Sequence, residues 1–432
     1  MNRRRLAQNL AASLAGGAWS ASQLATTLRR RLPARFEKYA EPLAAHLIQT
    51  HPAPFAPPAS KIAAALKAEP GFRRIVRSCQ RRGDWPAPDL QPPCMAPVDA
   101  FARLDLPQLS TREALADWLM LPPRRHAYFA DPTSRFEEHG ETAINHYHYH
   151  ILPKPRGGQR LIEAPKTSLK ALQRKILKDI LSPVPTHPDA FGFVPGRDCR
   201  AAAARHTGEA VVICSDLQNF FPSIGAGRVF GLFRSLGYPH QVATDLTGLC
   251  TNCTPIRVRD RMSGDMQPLL RGSHLPQGAP TSPALSNLVA YRLDLRLSAL
   301  AKRLGGQYSR YADDLAFSGD RTIIDTVHGL VPDIIRDEGF RLNPHKTRTM
   351  GTASRQYVTG LVVNQHINVD RRSYDRIKAV IHACGKPGDH RLADPAFRDS
   401  LLGLIGWVEQ VNPHRGRKLR ERLDRAVTGA RQ

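Results

Sequence analysis

The chain has 432 residues, more than one ordinary domain needs, and its 41% hydrophobic content can fill two or three cores. A formal net charge of +24 points to a polyanionic partner whose counterions the protein displaces, ahead of a membrane surface or simple solubility. Seven cysteines, an odd and scattered set, do not form a disulfide framework and suit a reducing cytoplasm, and no run of about 20 apolar residues offers a membrane-spanning helix.

The first segment imitates a secretory signal, with Arg3, Arg4 and Arg5 ahead of small apolar residues, but Gln8 and Asn9 interrupt it. Leu6, Leu10 and Leu14 recur every four residues, so an amphipathic helix is expected instead. Residues 1–85, rich in Ala, Leu and basic clusters such as Arg29-Arg30-Arg31, read as a basic helical N-terminal extension. Pro-rich residues 86–109 read as a linker, because prolines at 86, 88, 92, 93 and 97 cannot continue a helix. A new unit then begins with the capping box Ser110-Thr-Arg-Glu113, followed by Leu115, Trp118, Leu119 and Leu121 on one face.

From His146 to Glu163 the period changes to two, with a Gly157-Gly158 turn between the runs, which predicts a hairpin. The histidines of this region, three of them alternating along one strand, read as exposed or half-buried positions rather than a metal box. Leu169, Leu172, Ile176, Leu177, Ile180 and Leu181 predict a helix that Pro183 ends. Val211-Val212-Ile213-Cys214-Ser215 is apolar and β-branched enough for a buried strand, and it delivers Asp216. Cys250 and Cys253 have zinc-ligand spacing without a second pair, so they read as two small half-buried loop residues. The end of the chain is helical, with Leu401, Leu402, Leu404, Ile405, Trp407 and Val408 on a packed helix and an Arg-rich stretch over residues 415–425.

The chemistry concentrates in Gln307-Tyr-Ser-Arg-Tyr-Ala-Asp-Asp-Leu-Ala-Phe-Ser-Gly319, where an apolar strand turns back at Asp313 and Asp314. Two acids at a tight hairpin, joined by Asp216 from another strand, can hold two Mg²⁺ ions against the phosphates of a nucleotide and a primer end. Along the chain stand a basic hairpin, Asp216 with Phe220 and Phe221, the stretch Leu275 to Asn287 containing Gln277 and Gly278, Tyr311-Ala-Asp-Asp314, and Leu342-Asn-Pro-His-Lys346. In that order these segments resemble the reverse transcriptase family.

The resemblance implies an α+β fold, a right-hand polymerase of fingers, palm and thumb, with fingers and palm at residues 110–365 and a helical basic thumb at residues 366–432. It implies Asp216, Asp313 and Asp314 as metal carboxylates for two Mg²⁺ ions, with the Leu217 carbonyl as a further ligand. Lys346 would protonate the leaving pyrophosphate. Lys154 and Arg160 would clamp the triphosphate, Phe221 would stack under the sugar and exclude a 2′-hydroxyl, and Gln277 with Gly278 would let the backbone approach the nucleotide.

Ala190-Phe-Gly-Phe-Val-Pro-Gly-Arg197, Ser168-Leu-Lys-Ala-Leu-Gln-Arg174 and the triplet Val358-Thr359-Gly360 make the chain most similar to retron reverse transcriptases, and its long extension to the myxobacterial ones. Ala202-Ala-Ala-Arg-His206 matches the Asn-Ala-x-x-His stretch of that group except that Ala202 replaces Asn. His206, Val358, Thr359 and Gly360 are therefore the expected RNA-recognition residues. A retron enzyme implies a cognate noncoding RNA and its DNA product as partners, dNTPs as substrates, a retron effector protein, and no membrane. Abortive-infection, diversity-generating and group II intron enzymes are the alternatives within the family; a noncatalytic nucleic-acid-binding protein is the alternative outside it.

Overall fold

The structure, a computed structural model, describes residues 2–15, 19–52, 56–86, 93–131, 145–154, 157–262, 264, 266–386 and 388–429. Two compact units divide it: Met1–Pro185 with Phe221–Val289, and Thr186–Phe220 with Ala290–Gln432.

The first unit opens with five helices, α1 (Arg3–Ala15), α2 (Ala21–Arg31), α3 (Ala40–Thr50), α4 (Ala59–Ala68) and α5 (Pro70–Arg82). Leu6, Leu10 and Leu14 line the buried side of α1, as their spacing predicts, and share one apolar core with Leu28, Leu47, Ile62 and Phe72. Helix ends follow from local chemistry. Glu69 accepts the Phe72 N–H at 2.7 Å ahead of Pro70, and Gly83 ends α5 in the left-handed region at φ 69°. The buried Arg234 guanidinium donates to the Ala56 carbonyl at 3.1 Å and to that of Tyr238, clamping the helical extension to the rest of its unit. Within the Pro-rich segment residues 87–92 lie outside the described residues, whereas the Ala96 and Val98 N–H groups donate to Gly237 and Ser235 at 3.0 Å.

Helix α6 (Arg112–Trp118) starts one residue later than the expected capping box. Thr111, not Ser110, is its cap, and accepts the Ala114 N–H at 3.1 Å. After α7 (Pro123–Ala130) comes the expected hairpin, β1 (Tyr147–Pro153) and β2 (Gln159–Pro165), in antiparallel register from Tyr147↔Pro165 to Pro153↔Gln159. His148 and His150 are exposed, but His146 is buried ahead of the strand, a ring nitrogen 2.9 Å from the Tyr128 carbonyl. Helix α8 (Thr167–Ile176) continues through a π-helical turn, Leu177–Leu181, and stops before Pro183.

The chain next gives the second unit α9 (Cys199–Ala204) and β3 (Val211–Asp216). It returns to the first for α10 (Ala226–Ser235), α11 (His240–Cys250) and α12 (Ser282–Val289). Cys250 and Cys253 are buried rather than half-buried, and burial pushes the Cys250 thiol up to about 12.

The remainder of the second unit runs α13 (Tyr291–Arg303), β4 (Gln307–Tyr311), β5 (Asp314–Gly319), α14 (Ile323–Asp337), β6 (Arg348–Gly351), the small hairpin β7 (Tyr357–Val358) and β8 (Leu361–Val362), α15 (Arg371–Cys384), α16 (Pro395–Val411) and α17 (Pro413–Gly429). Its sheet has the order β4-β5-β3-β6, every pair antiparallel. Val212, Ala316 and Met350 of the sheet share a core with Ile377, Ile405 and Leu419 of the C-terminal helices. On α16 Leu401, Ile405 and Val408 are buried as expected, but Leu404 and Trp407 are 48% and 38% exposed, because they turn progressively away from the buried face along one flank of the helix.

Candidate active site

Strand β3 ends at Asp216, whose cross-strand partner on β5 is Asp314. Between β4 and β5 the chain reverses through Ala312 and Asp313, and the Asp313 carbonyl accepts the Leu217 N–H at 2.9 Å. All three expected carboxylates, and Leu217 with them, thus meet at one end of the sheet. The turn is tight enough to push Ala312 to φ 56°, a left-handed conformation that costs an L-residue about 1–2 kcal/mol. Two neighbours hold it there. Arg310 donates to the Ala312 carbonyl at 3.1 Å, and Gly192 packs so closely that a Cβ on it would lie 2.5 Å from the Ala312 nitrogen.

Asp216 is 5% exposed, and the Lys346 ammonium lies 2.6 Å from its Oδ1. Asn343 donates its backbone N–H to the Asp216 carbonyl at 2.8 Å, so the segment after α14 is stitched to the end of β3. Desolvation by surrounding protein, then the negative charges of Asp313 and Asp216, push Asp314 up to about 6; Lys346 opposes them.

Such a carboxylate cluster is short of positive charge. Among the described residues no three His, Cys, Asp or Glu side chains close around a metal position. Hard oxygen donors with open positions fit a Mg²⁺ ion that takes its other ligands from substrate phosphates and water. The donor chemistry therefore suits a hard divalent cation.

The nucleotide-binding candidates belong to the first unit. Lys154 and Arg160 are exposed on the β1–β2 hairpin, near its turn. Gln277 and Gly278 form a turn before α12, with Gly278 at φ 129°. The Gln277 carbonyl accepts the Glu163 N–H at 2.9 Å, and a Cβ on Gly278 would come 3.0 Å from the Glu163 carbonyl. Strand β2 therefore supports this turn. Beneath it the Glu163 carboxylate is buried among His274 at 2.9 Å, Asn252 at 2.8 Å and Thr254 at 2.8 Å. Burial alone would lower the His274 pKa, but the Glu163 charge and hydrogen bond outweigh it and raise it. Phe221 is half-buried, whereas Phe220 packs in the second unit against Phe340 at 5.6 Å between ring centres.

Two of the expected RNA-recognition side chains cannot meet RNA. His206 is fully buried, its ring nitrogens 2.8 Å from Ser318 Oγ and 2.7 Å from Ser309 Oγ, so it braces β4 and β5 from behind. Val358 is 2% exposed and packs in the core. Thr359 and Gly360, at the turn between β7 and β8, instead line a cavity of about 110 Å³ together with Tyr311 and Asp314. Sequence reasoning missed Gly192, Arg310, Asp294 and the Glu163 cluster. Arg310 carried a signal, a lone charge inside a strand read as apolar.

Paired carboxylates at the end of an antiparallel sheet are an arrangement that right-hand, template-directed polymerases use. Residues 152–363 match the reverse transcriptase (RNA-dependent DNA polymerase) family. The chain is 39% identical over 332 residues to the Retron Mx65 reverse transcriptase of Myxococcus xanthus, covering 74% of this chain and 73% of that one. It is 38% identical to the Retron Mx162 reverse transcriptase of the same organism, over 72% of this chain and 66% of the other. To the Retron Ec86 reverse transcriptase of Escherichia coli it is 35% identical over 64% and 80%. A foamy viral protease-reverse transcriptase in complex with double-stranded DNA matches at 14% identity and TM-score 0.34, over 78% of this chain and 49% of that one.

The chain belongs to the reverse transcriptase family and is an RNA-directed DNA polymerase. Within the family it is a retron reverse transcriptase of the myxobacterial type. A divalent metal, an RNA template, a DNA product and dNTP substrates follow from that membership. No helix among the described residues is long and apolar enough to cross a membrane.

Proposed function

We propose that the enzyme binds its own structured noncoding RNA, primes from the 2′-hydroxyl of a guanosine, and copies part of that RNA into single-stranded DNA. The DNA stays attached through a 2′,5′ branch, the product called msDNA. The enzyme works in the cytoplasm, and serves antiphage defence together with a retron effector protein. The observation that carries this reading is the cross-strand pair Asp216–Asp314 with Asp313 beside it, in a chain whose relatives are retron enzymes.

Residues 110–365 act as fingers and palm, residues 366–432 as a basic thumb, residues 1–85 as the extension and residues 86–109 as its linker. Asp216, Asp313, Asp314 and the Leu217 carbonyl would hold two Mg²⁺ ions, which would supply the positive charge needed at the primer hydroxyl and the triphosphate. Lys346 waits on Asp216 and moves a proton to the departing pyrophosphate. Arg160 grips the triphosphate in bidentate fashion and Lys154 as a point charge, while Phe221 excludes the ribose 2′-hydroxyl. Gln277 and Gly278 bring backbone to the nucleotide. Thr359 and Gly360, beside Asp314, contact the RNA that supplies the primer.

The test is to express the gene with its native upstream region and sequence the nucleic acid that co-purifies with the wild-type protein and with Asp313→Asn. Short DNA joined to RNA in the wild type alone is the expected result. RNA without attached DNA from both proteins would contradict the branching reaction.

A further inference from the structure

Helix α5 carries five arginines, Arg73, Arg74, Arg77, Arg81 and Arg82, all exposed. At about 100° per residue the first four fall within one quarter to one third of the helix circumference. The opposite side holds Phe72, Ile75, Val76 and Cys79, each no more than 4% exposed. None of the five arginines forms an ion pair or side-chain hydrogen bond with the described residues. The flanking acids are otherwise engaged, Glu69 on the Phe72 N–H and Asp84 on Arg35 at 2.7 Å. Arg73, Arg77 and Arg81 follow one another at i, i+4, where like charges destabilise a helix by a few tenths of a kcal/mol per pair.

We propose that this face of α5 is a docking surface for the phosphate backbone of structured RNA, a second RNA contact outside the polymerase region. The helix has Arg at every basic position and no Lys, and the planar guanidinium binds phosphate through paired donors. From Arg73 to Arg81 the stripe spans about 12 Å, enough to meet several phosphates. A membrane is the poorer partner. Surface helices enter lipid through their apolar side, and that side of α5 is locked in the core of the extension. Arg234 fixes the extension to its unit through Ala56, so RNA held on α5 is held by the enzyme rather than by a loose tail. The proposal rests on the enzyme's using an RNA template, and not on branched priming.

The experiment replaces Arg73, Arg74, Arg77 and Arg81 together by Gln in the full chain. Affinity for an RNA hairpin, without dNTPs, is followed by fluorescence anisotropy across a KCl series, with phosphatidylserine vesicles as a second probe. The expected result is binding at least about tenfold weaker at 0.15 M salt and a shallower dependence of log Kd on log salt, by about 2–3, as phosphate contacts are lost. Vesicle binding, circular dichroism and primer extension on a short template–primer stay as in the wild type. Unchanged RNA affinity and salt slope would overturn the proposal, as would a loss confined to vesicles. Extension by the wild type is read separately, so failure of the catalytic reading leaves the binding comparison intact.

Discussion

Arg310 and Asp294 are both fully buried and joined by two charge-assisted bonds, Nε to Oδ1 at 2.7 Å and Nη2 to Oδ2 at 2.6 Å. Nη1 of the same guanidinium reaches the Ala312 carbonyl, so the pair links α13 to the turn that carries Asp313. Burial disfavours the charge on Arg310, but Asp294 outweighs it and raises its pKa. Tyr308 donates its hydroxyl to Asp294 at 2.9 Å, completing a polar brace inside an apolar unit. The strain at Ala312 persists because this brace and Gly192 together leave the turn no other place to lie.

Removing one partner strands the other charge without water. Asp294→Asn is expected to destabilise the protein by roughly 3–5 kcal/mol. Replacing both, Asp294→Leu with Arg310→Met, is expected to cost less stability, yet to lower primer extension, because the Ala312 carbonyl loses its donor. Urea unfolding measures the first effect and single-turnover extension the second; a single variant unfolding at the wild-type midpoint would show that the brace does not support the fold.

The carboxylates were legible in the sequence because a paired Asp-Asp between two apolar runs has few other uses, and because Asp216 closes a β-branched strand. The brace beneath them was not. Asp294 lies on a helix among Arg, Leu and Ser, where it reads as a solvated charge until tertiary packing brings Arg310 against it. His206 was misread for the converse reason. A histidine in a motif suggests recognition, and only the positions of Ser309 and Ser318 reveal that both ring nitrogens are spent. Single-residue offsets such as Thr111 for Ser110 fall below what pattern alone resolves.

Each carboxylate has a separate consequence. Asp216→Asn, Asp313→Asn and Asp314→Asn are each expected to lower single-turnover extension on the order of 10²–10³-fold or more, with RNA affinity retained. Asp216→Asn also takes the charged partner from Lys346, now 2.6 Å away. Lys346→Met is expected to slow the chemical step while leaving dNTP binding largely intact, which a split between kcat and KM would reveal. A variant at Asp313 that extends primers at the wild-type rate would remove that residue from the chemistry.

Phe221 is half-buried, whereas its neighbour Phe220 is fully packed. Phe221→Ala is expected to admit ribonucleotides, lowering discrimination between dNTP and rNTP by about 10–200-fold, the range that loss of an apolar wall produces. Competition between dGTP and GTP on one template measures it. Equal discrimination in wild type and variant would assign Phe221 to packing alone.

Acid should loosen the second unit through His206. Burial first, then the Arg205 charge, hold its pKa down to about 4, with Asp189 opposing. In the unfolded chain the same ring titrates near 6.5. Between those values the unfolded state takes up a proton that the folded state refuses, so stability is present above pH 6.5 and is lost as pH falls toward 4. From pH 7 to pH 5 the loss amounts to about 2 kcal/mol. Other buried histidines, His146 and His187 among them, shift in the same direction, so the informative quantity is a difference between proteins. His206→Gln, whose amide can still bond to Ser309 or Ser318, is expected to be less stable at pH 7 but to lose about 2 kcal/mol less than the wild type on going to pH 5. Urea unfolding of both proteins at the two pH values decides it. Parallel losses would mean that the ring, though enclosed, is not the group that couples this fold to acid.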